Sequence, residues 1–170
     1  MKEKIALAAV VAVAFLTGIF AGSRTGIPAG GMLTELDGIP QLSTEGFSKA
    51  DVQVGPLMIY LTSGCYRLSI ITNEIQADSI GKGIQNITDE RPTTHDTLNS
   101  ILENFNIQPL MVKVESLRDG TYYSKILLRQ GNEILNLDTR PSDAIAVAVR
   151  AGAPVYVKNE LLEKAGEKIC

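Results

Sequence analysis

Two carboxylates, a guanidinium and two hydroxyls fall within residues 138–143 of this chain. Asp138 and Asp143 flank Arg140, and Ser142 directly precedes the second aspartate. Carboxylates bind hard divalent cations such as Mg²⁺ or Mn²⁺, and a bound cation can hold a phosphodiester and activate water. A guanidinium can bind a phosphate through two hydrogen bonds. One interpretation is therefore a site in which the aspartates hold a divalent metal and Arg140 binds phosphate.

The same residues also have a structural interpretation. With Pro141 at the first helical position, Asp143 falls in the first turn, where an acidic side chain complements the helix dipole. Arg140 would then form an ion pair with Asp138 or Asp143. The spacing alone leaves both interpretations open.

A second polar group stands at the start of another predicted helix. His95 is the only histidine of the chain and lies beside Asp96, which follows Thr93 in a pattern that resembles a capping box. A neutral histidine at a helix start could bind a metal or transfer protons. Glu74 precedes an earlier helix and adds a further carboxylate. The alternative is that these residues only cap their helices and that His95 is exposed.

Hydrophobic periodicity and turn residues predict the elements that would position these groups. Asp119-Gly120 is a strong hairpin signal, and Leu98, Ile101 and Phe105 share one face of an amphipathic helix. The predicted order is ββααβββαβα, which indicates a single compact α+β domain with a mainly antiparallel sheet packed by helices. The predicted strands are 52–61, 66–71, 110–117, 122–128, 133–137 and 155–158, and the predicted helices are 73–86, one around 98–105, 141–151 and one near the C-terminus.

The helix at 141–151 follows the polar segment directly. Pro141 suits its first turn, and Gly152 and Pro154 suit its end. Alanine and valine cover all its sides, so we expect it to be buried.

The N-terminus predicts a membrane segment. Lys2 and Lys4 precede residues 5–22, which contain no charged side chain. We expect residues 1–22 to be an uncleaved signal anchor or, alternatively, a cleaved signal peptide, with a buried soluble helix least favoured. Residues 23–47 read as a flexible linker and 48–170 as the domain. Because the lysines favour an inside N-terminus, the domain is expected outside the cytoplasm, or secreted after cleavage.

Charge and cysteine content narrow the classes of partner. The formal net charge is −3 and the chain has no run of lysine and arginine, so no basic patch for strong non-specific nucleic-acid binding is expected.

Cys65 and Cys170 are the only cysteines and give no metal-site spacing. We expect an unpaired Cys65 in a strand, because Cys170 is the last residue, although pairing stays open outside the cytoplasm.

Four separated segments resemble the motifs of the bifunctional nuclease family. They are residues 138–148 continued by 150–157, the Arg-Pro-x-Thr-His-Asp-like segment at 91–96, the hairpin at 117–123, and Glu74 at the start of the first helix. The motifs occur in the same order as in the family, and the resemblance covers residues 58–166.

The resemblance implies cleavage of DNA and RNA by a compact α+β domain that tends to form homodimers. It also implies a polar set that can be carried over residue by residue. The candidate catalytic residues are Asp138, Arg140, Asp143 and His95, the candidate substrate-binding residues are Arg140 and Ser142, and the candidate metal ligands are Glu74, Asp96, Asp138 and Asp143.

Two functional hypotheses follow from the sequence. The first is a phosphodiester hydrolase that acts on DNA or RNA with the help of Mg²⁺ or Mn²⁺. The second is a non-catalytic, membrane-tethered module for protein binding or self-association, in which Asp138, Arg140 and Asp143 only brace a helix. The net negative charge of the domain and the lack of a basic groove favour the second hypothesis.

Overall fold

The computed structural model describes residues 39–170. The predicted membrane segment at 5–22 and residues 23–38 of the predicted linker lie outside the described residues. Within 39–170, no helix is both long enough and apolar enough to cross a membrane.

The described residues form strands, α-helices and one short 3-10 helix at Pro40–Leu42. The strands are β1 (Phe47–Val54), β2 (Met58–Ser63), β3 (Tyr66–Ile71), β4 (Gln108–Arg118), β5 (Thr121–Gln130), β6 (Glu133–Thr139), β7 (Val155–Lys158) and β8 (Glu167–Lys168). The helices are α1 (Glu74–Gln85), α2 (Thr94–Asn104), α3 (Pro141–Ala151) and α4 (Asn159–Ala165).

All eight strands join one mixed sheet in the order β6-β5-β4-β7-β1-β2-β3-β8. Every neighbouring pair is antiparallel except β4 and β7, which run parallel because the chain passes through α3 before β7 begins. The predicted α+β class is therefore confirmed. The β4–β5 hairpin turns at Asp119 and Gly120, both with positive φ, as the Asp-Gly signal predicts.

The first predicted strand, 52–61, is wrong as a single element. The structure divides it into β1 and β2, with Pro56 in the turn and a hydrogen bond from Gly55 N to Met58 O of 2.8 Å. Proline cannot donate to a strand ladder, so the chain reverses there instead of continuing. The domain thus begins with three strands, and the short β8 adds an element that the sequence analysis did not predict.

Residues 39–47, which the sequence analysis placed in the linker, contact the sheet. Leu42 is buried, and the buried Lys113 of β4 donates from Nζ to Gln41 O (2.8 Å) and Ser43 O (2.6 Å). Burial lowers the pKa of Lys113 below its usual value. The segment lacks any hydrophobic period, so its attachment through backbone carbonyls could not be predicted.

Helix α3 lies in the core, as expected from its apolar composition. Ala144, Ile145 and Val147 are buried, and α1 and α2 pack against the same helix. A Cβ built on Gly83 of α1 would lie 2.6 Å from Val149 Cγ2 and 2.8 Å from a terminal nitrogen of Arg150. The close approach of α1 to α3 therefore requires glycine at residue 83.

The expectation of an unpaired Cys65 is wrong, because Cys65 and Cys170 form a disulfide with a Cα–Cα distance of 5.2 Å. The C-terminus is held next to the β2–β3 turn by pairing of β8 with β3. A further hydrogen bond joins Ile169 N to Cys65 O at 2.9 Å. Strand β8 has only two residues, which is too short to give a recognisable pattern in the sequence.

Candidate functional site

The start of α3 fixes the spacing of Arg140 and Asp143. Arg140 is the extended N-cap residue, and its carbonyl accepts from Asp143 N and Ala144 N, both at 3.1 Å. Pro141 follows at the first helical position, where its fixed φ suits the helix. The preceding β6 is tied to β5 by a bond from Ser124 Oγ to Thr139 O (2.7 Å). The polar segment therefore sits at a rigid strand-to-helix junction.

Asp143 is the centre of the polar contacts at this junction. Its Oδ2 accepts from Arg140 Nε at 2.7 Å, and its Oδ1 accepts from Gln76 Nε2 at 2.9 Å and lies 3.5 Å from His95 Nε2. Burial acts to raise the pKa of Asp143, but the hydrogen bonds from Arg140 and Gln76 and the charges of Arg140 and His95 outweigh it and lower that pKa. The carboxylate is thus ionised at neutral pH.

His95 reaches Asp143 from the first turn of α2. Its side chain is only 14% exposed, and its Nδ1 lies 2.9 Å from Ser79 Oγ of α1. The predicted capping box is confirmed, since Thr93 and Asp96 exchange hydrogen bonds in both directions. The alternative of an exposed His95 is therefore wrong, although the helix-capping part of that interpretation is correct.

Arg150, on the last turn of α3, closes the network behind His95. Its Nε donates to Asp96 Oδ1 at 2.6 Å, one terminal nitrogen donates to Ala146 O at 2.8 Å, and the other donates to Ser79 Oγ at 3.1 Å. Burial acts to raise the pKa of Asp96, but the hydrogen bonds from Thr93 and Arg150 lower it to about 2. One chain of contacts therefore links the three helices α1, α2 and α3.

An open cleft of about 530 Å³ lies beside the start of α3. The end of β3, the β4–β5 turn and the first turn of α3 form its walls, and Gln76, Tyr122, Arg140 and Ser142 are among the lining residues. The Arg140 side chain is 71% exposed at this rim. The ionised Asp143 and its partners thus lie next to a space that a ligand can enter.

The structure brings some of the predicted site residues together and separates others. Arg140 and His95 each contact Asp143, and Arg140 and Ser142 line the cleft. Asp96 joins them only through Arg150 and Ser79. Asp138 is exposed on β6 opposite Lys125, and Glu74 is exposed and lines a separate shallow pocket.

The four predicted metal ligands do not gather into a preformed metal site. Within residues 39–170 no group of three or more His, Cys, Asp or Glu side chains could hold a metal ion. Both oxygens of Asp96 already accept hydrogen bonds, Oδ1 from Arg150 and Oδ2 from Thr93. The donor set does not fit a resident ion held by protein ligands alone.

Three members of the network were not among the predicted site residues, namely Gln76, Ser79 and Arg150. Gln76 and Ser79 stand three residues apart on one face of α1, and Arg150 stands seven residues after Asp143 on one face of α3. Two charged residues seven positions apart on an otherwise Ala- and Val-rich helix lie on the same face. This spacing could have indicated that Arg150 belongs to the same polar face as Asp143. Ser79 gives no such signal by itself.

A model of the bifunctional nuclease domain family matches residues 59–169, well over half of the chain. The chain belongs to the bifunctional nuclease domain family. The matched region begins in β2 and contains every residue of the network described above. The family resemblance seen in the motifs of the sequence is therefore confirmed.

Several proteins are similar to this member of the bifunctional nuclease domain family. An uncharacterized protein of Mycobacterium tuberculosis is 28% identical over 110 residues, which is 65% of each chain. Bifunctional nuclease 1 of Oryza sativa subsp. japonica is 30% identical over 105 residues, 60% of this chain and 32% of the rice protein. Bifunctional nuclease 1 of Arabidopsis thaliana is 28% identical over 105 residues, again 32% of the plant protein. The matches thus span less than two thirds of each of these relatives.

Proposed function

We propose that this domain hydrolyses phosphodiester bonds of DNA or RNA at the cleft beside the start of α3. The observation that carries the proposal is that Asp143 contacts both Arg140, which lines the open cleft, and His95 of a second helix. All three residues lie within the region 59–169 that matches the family model, and the plant relatives are named bifunctional nucleases. These names support the class of reaction.

Arg140 is the residue best placed to bind the phosphate. Its ion pair with Asp143 uses Nε, and the side chain stands at the exposed rim of the cleft. The two terminal nitrogens can therefore donate to a phosphate while Nε remains on Asp143. Ser142 adds a hydroxyl on the same rim, and the N-terminus of α3 favours an anion there.

Asp143 is the group that can orient a water molecule. Hydrolysis adds water to phosphorus, breaks the bond to the leaving oxygen, and transfers a proton from the water to that oxygen through the solvent. The ionised Asp143 can accept a hydrogen bond from the attacking water. Gln76 and His95 hold the carboxylate on its other side, so the base does not need to reorganise.

Dependence on Mg²⁺ or Mn²⁺ is a further part of the proposal. Mg²⁺ is often bound by one or two carboxylates together with substrate phosphates, without a cage of protein ligands. An ion recruited with the nucleic acid is compatible with the lack of a three-donor cluster in residues 39–170. We therefore expect EDTA to abolish cleavage.

Cleavage of labelled single-stranded DNA and RNA by the full-length chain tests the proposal. Asp143→Asn keeps the shape of the side chain but removes its charge, so we expect the rate to fall by about 10²–10⁴. Asp51→Asn, at an exposed position on β1, is the matched control and should cleave like the wild type. Equal rates for wild type and Asp143→Asn would contradict the proposal and indicate a contaminating nuclease.

A non-catalytic role is the second candidate, and one observation favours it. Arg140 and Asp143 form an ion pair of 2.7 Å, as the structural interpretation of the sequence predicts. If the only role of Arg140 were to stabilise the start of α3 through this ion pair, Arg140→Ala would lower the melting temperature. The wild type would then cleave neither DNA nor RNA. The nuclease assay therefore distinguishes the two candidates.

Membrane attachment and self-association also belong to the proposal. The apolar segment at 5–22 supports an anchor that places the domain outside the cytoplasm, or a secreted domain if the segment is cleaved. Leu98 and Ile101 of α2 and Phe105 at its C-cap are exposed, which supports a homodimer that covers them. Alkaline carbonate extraction and light scattering of the full-length chain test these two expectations.

A further inference from the structure

A buried hydroxyl group stands behind the imidazole of His95. Ser79 is 4% exposed, and its Oγ lies 2.9 Å from His95 Nδ1. Arg150 donates to the same oxygen at 3.1 Å. A guanidinium can only donate, whereas a serine hydroxyl donates one proton and accepts up to two.

This arrangement decides which ring nitrogen of His95 carries the proton. Since Arg150 cannot accept, His95 Nδ1 is the acceptor that the described contacts offer to the Ser79 proton. The proton of the neutral ring then lies on Nε2, which faces Asp143 Oδ1 at 3.5 Å. In the other tautomer, Nε2 would direct a lone pair at an ionised carboxylate, and the buried Ser79 proton would lose its acceptor.

Arg150 is held firmly enough to fix Ser79 in this role. Its side chain is 9% exposed, and each of its three nitrogens donates to a different group: Asp96, the carbonyl of Ala146, and Ser79. Gly83 makes room for it, since a Cβ there would lie 2.8 Å from a guanidinium nitrogen. The donor to Ser79 therefore cannot easily turn away.

We propose that Ser79, held by Arg150, is a positioning residue that fixes neutral His95 as the Nε2–H tautomer. The ring then presents its Nε2 proton to the carboxylate of Asp143 at 3.5 Å and does not act as a second base. The consequence for cleavage rests on the proposed function, whereas the tautomer itself does not.

The tautomer is measurable because His95 is the only histidine in the chain. Nitrogen NMR of the full-length chain with ¹⁵N-labelled histidine, recorded at alkaline pH where the ring signals no longer change with pH, reports which nitrogen carries the proton. We expect the wild type to be protonated on Nε2. Ser79→Ala removes one hydrogen bond to Nδ1, so the ratio of the two tautomers should shift toward Nδ1–H by about tenfold. Ser79→Thr keeps the hydroxyl and should restore the wild-type ratio.

Ser100→Ala is the matched control, because the Ser100 hydroxyl bonds to Asp96 O on α2 and does not contact His95. Its spectrum should equal that of the wild type. A wild-type ring protonated on Nδ1 would overturn the inference without any variant, and so would an unchanged ratio in folded Ser79→Ala. If the tautomer is as expected but the wild type cleaves no nucleic acid, the proposed function fails and the inference about Ser79 stands.

Discussion

At the scale of single residues, Asp96 is a carboxylate with hydrogen-bond donors on both of its oxygens. Arg150 and Thr93 donate to both of its oxygens, and the partner Arg150 is almost fully buried. A buried charge that loses its partner destabilises a fold far more than an exposed one. The Asp96–Arg150 pair is therefore a sensitive place to test the network.

Acid should weaken the fold through Asp96. Its pKa in the folded state is about 2, below the ordinary value of 3.8, so its contribution is present at neutral pH and is lost as pH falls from about 4 through 2. The difference corresponds to about 2 kcal/mol of unfolding free energy. Urea unfolding at several pH values measures it, and a free energy that stays constant between pH 5 and 2 would contradict the assignment.

Asp96→Asn should destabilise the domain at neutral pH by about 3–5 kcal/mol, because Arg150 is left without its carboxylate. Thermal unfolding measures the change. Glu103→Gln, an exposed change on the same helix, is the control and should stay within about 0.5 kcal/mol of wild type. Equal melting temperatures for both variants would show that the Asp96–Arg150 pair contributes little to the stability of the fold.

At the scale of elements, helix α1 contains two glycines with different surroundings. A Cβ on Gly81 would meet only Val54 Cγ1 at 3.4 Å, an ordinary contact, whereas a Cβ on Gly83 would clash with Val149 and Arg150 of α3. Both glycines have the same low helix propensity, so the sequence alone does not distinguish them. Only the packing of α1 on α3 shows that Gly83 has no room for a side chain whereas Gly81 does.

The two alanine variants should therefore change stability in opposite directions. Gly81→Ala should raise the unfolding free energy by up to about 1 kcal/mol, because alanine restricts the unfolded chain and favours the helix. Gly83→Ala should lower it by about 1–3 kcal/mol through overpacking against α3. Denaturant unfolding of both variants measures the difference, and a stabilised Gly83→Ala would contradict the close approach of the helices.

Local signals predicted several elements well. The Pro141 start and Gly152 end of α3, the Asp-Gly turn of the β4–β5 hairpin and the capping box of α2 all depend on neighbouring residues, and the structure confirms each of them. The contacts of Ser79 with His95 and Arg150 depend on how three helices pack together. No local pattern could show them, and this is why the site was only partly predicted.

At the scale of the whole molecule, the disulfide joins the β2–β3 turn to the last residue of the chain. Cys65 and Cys170 are 105 residues apart, so the bond closes most of the domain into one loop. Closing a long loop restricts the unfolded chain strongly. An unpaired Cys65 was expected because Cys170 is the last residue, but the pairing of β8 with β3 holds that end of the chain in place.

Reduction of the disulfide should lower the free energy of unfolding by about 2–5 kcal/mol. Thermal unfolding with and without dithiothreitol measures the effect. Cys170→Ser should melt at the temperature of the reduced wild type and should not respond to the reductant. The same melting temperature for oxidised and reduced wild type would show that the bond does not form or does not stabilise the fold.

The central claim is that the exposed Arg140 holds a phosphate while its Nε remains on Asp143, and its most direct test is cleavage by Arg140→Ala. We expect the rate of single-stranded DNA or RNA cleavage by the full-length chain to fall by about 10²–10³ relative to wild type, because a positioned charged donor is lost. Arg129→Ala, at an arginine of β5 that bonds to Gln108, is the matched control and should cleave normally. Equal loss in both variants, or no loss in Arg140→Ala, would contradict the claim.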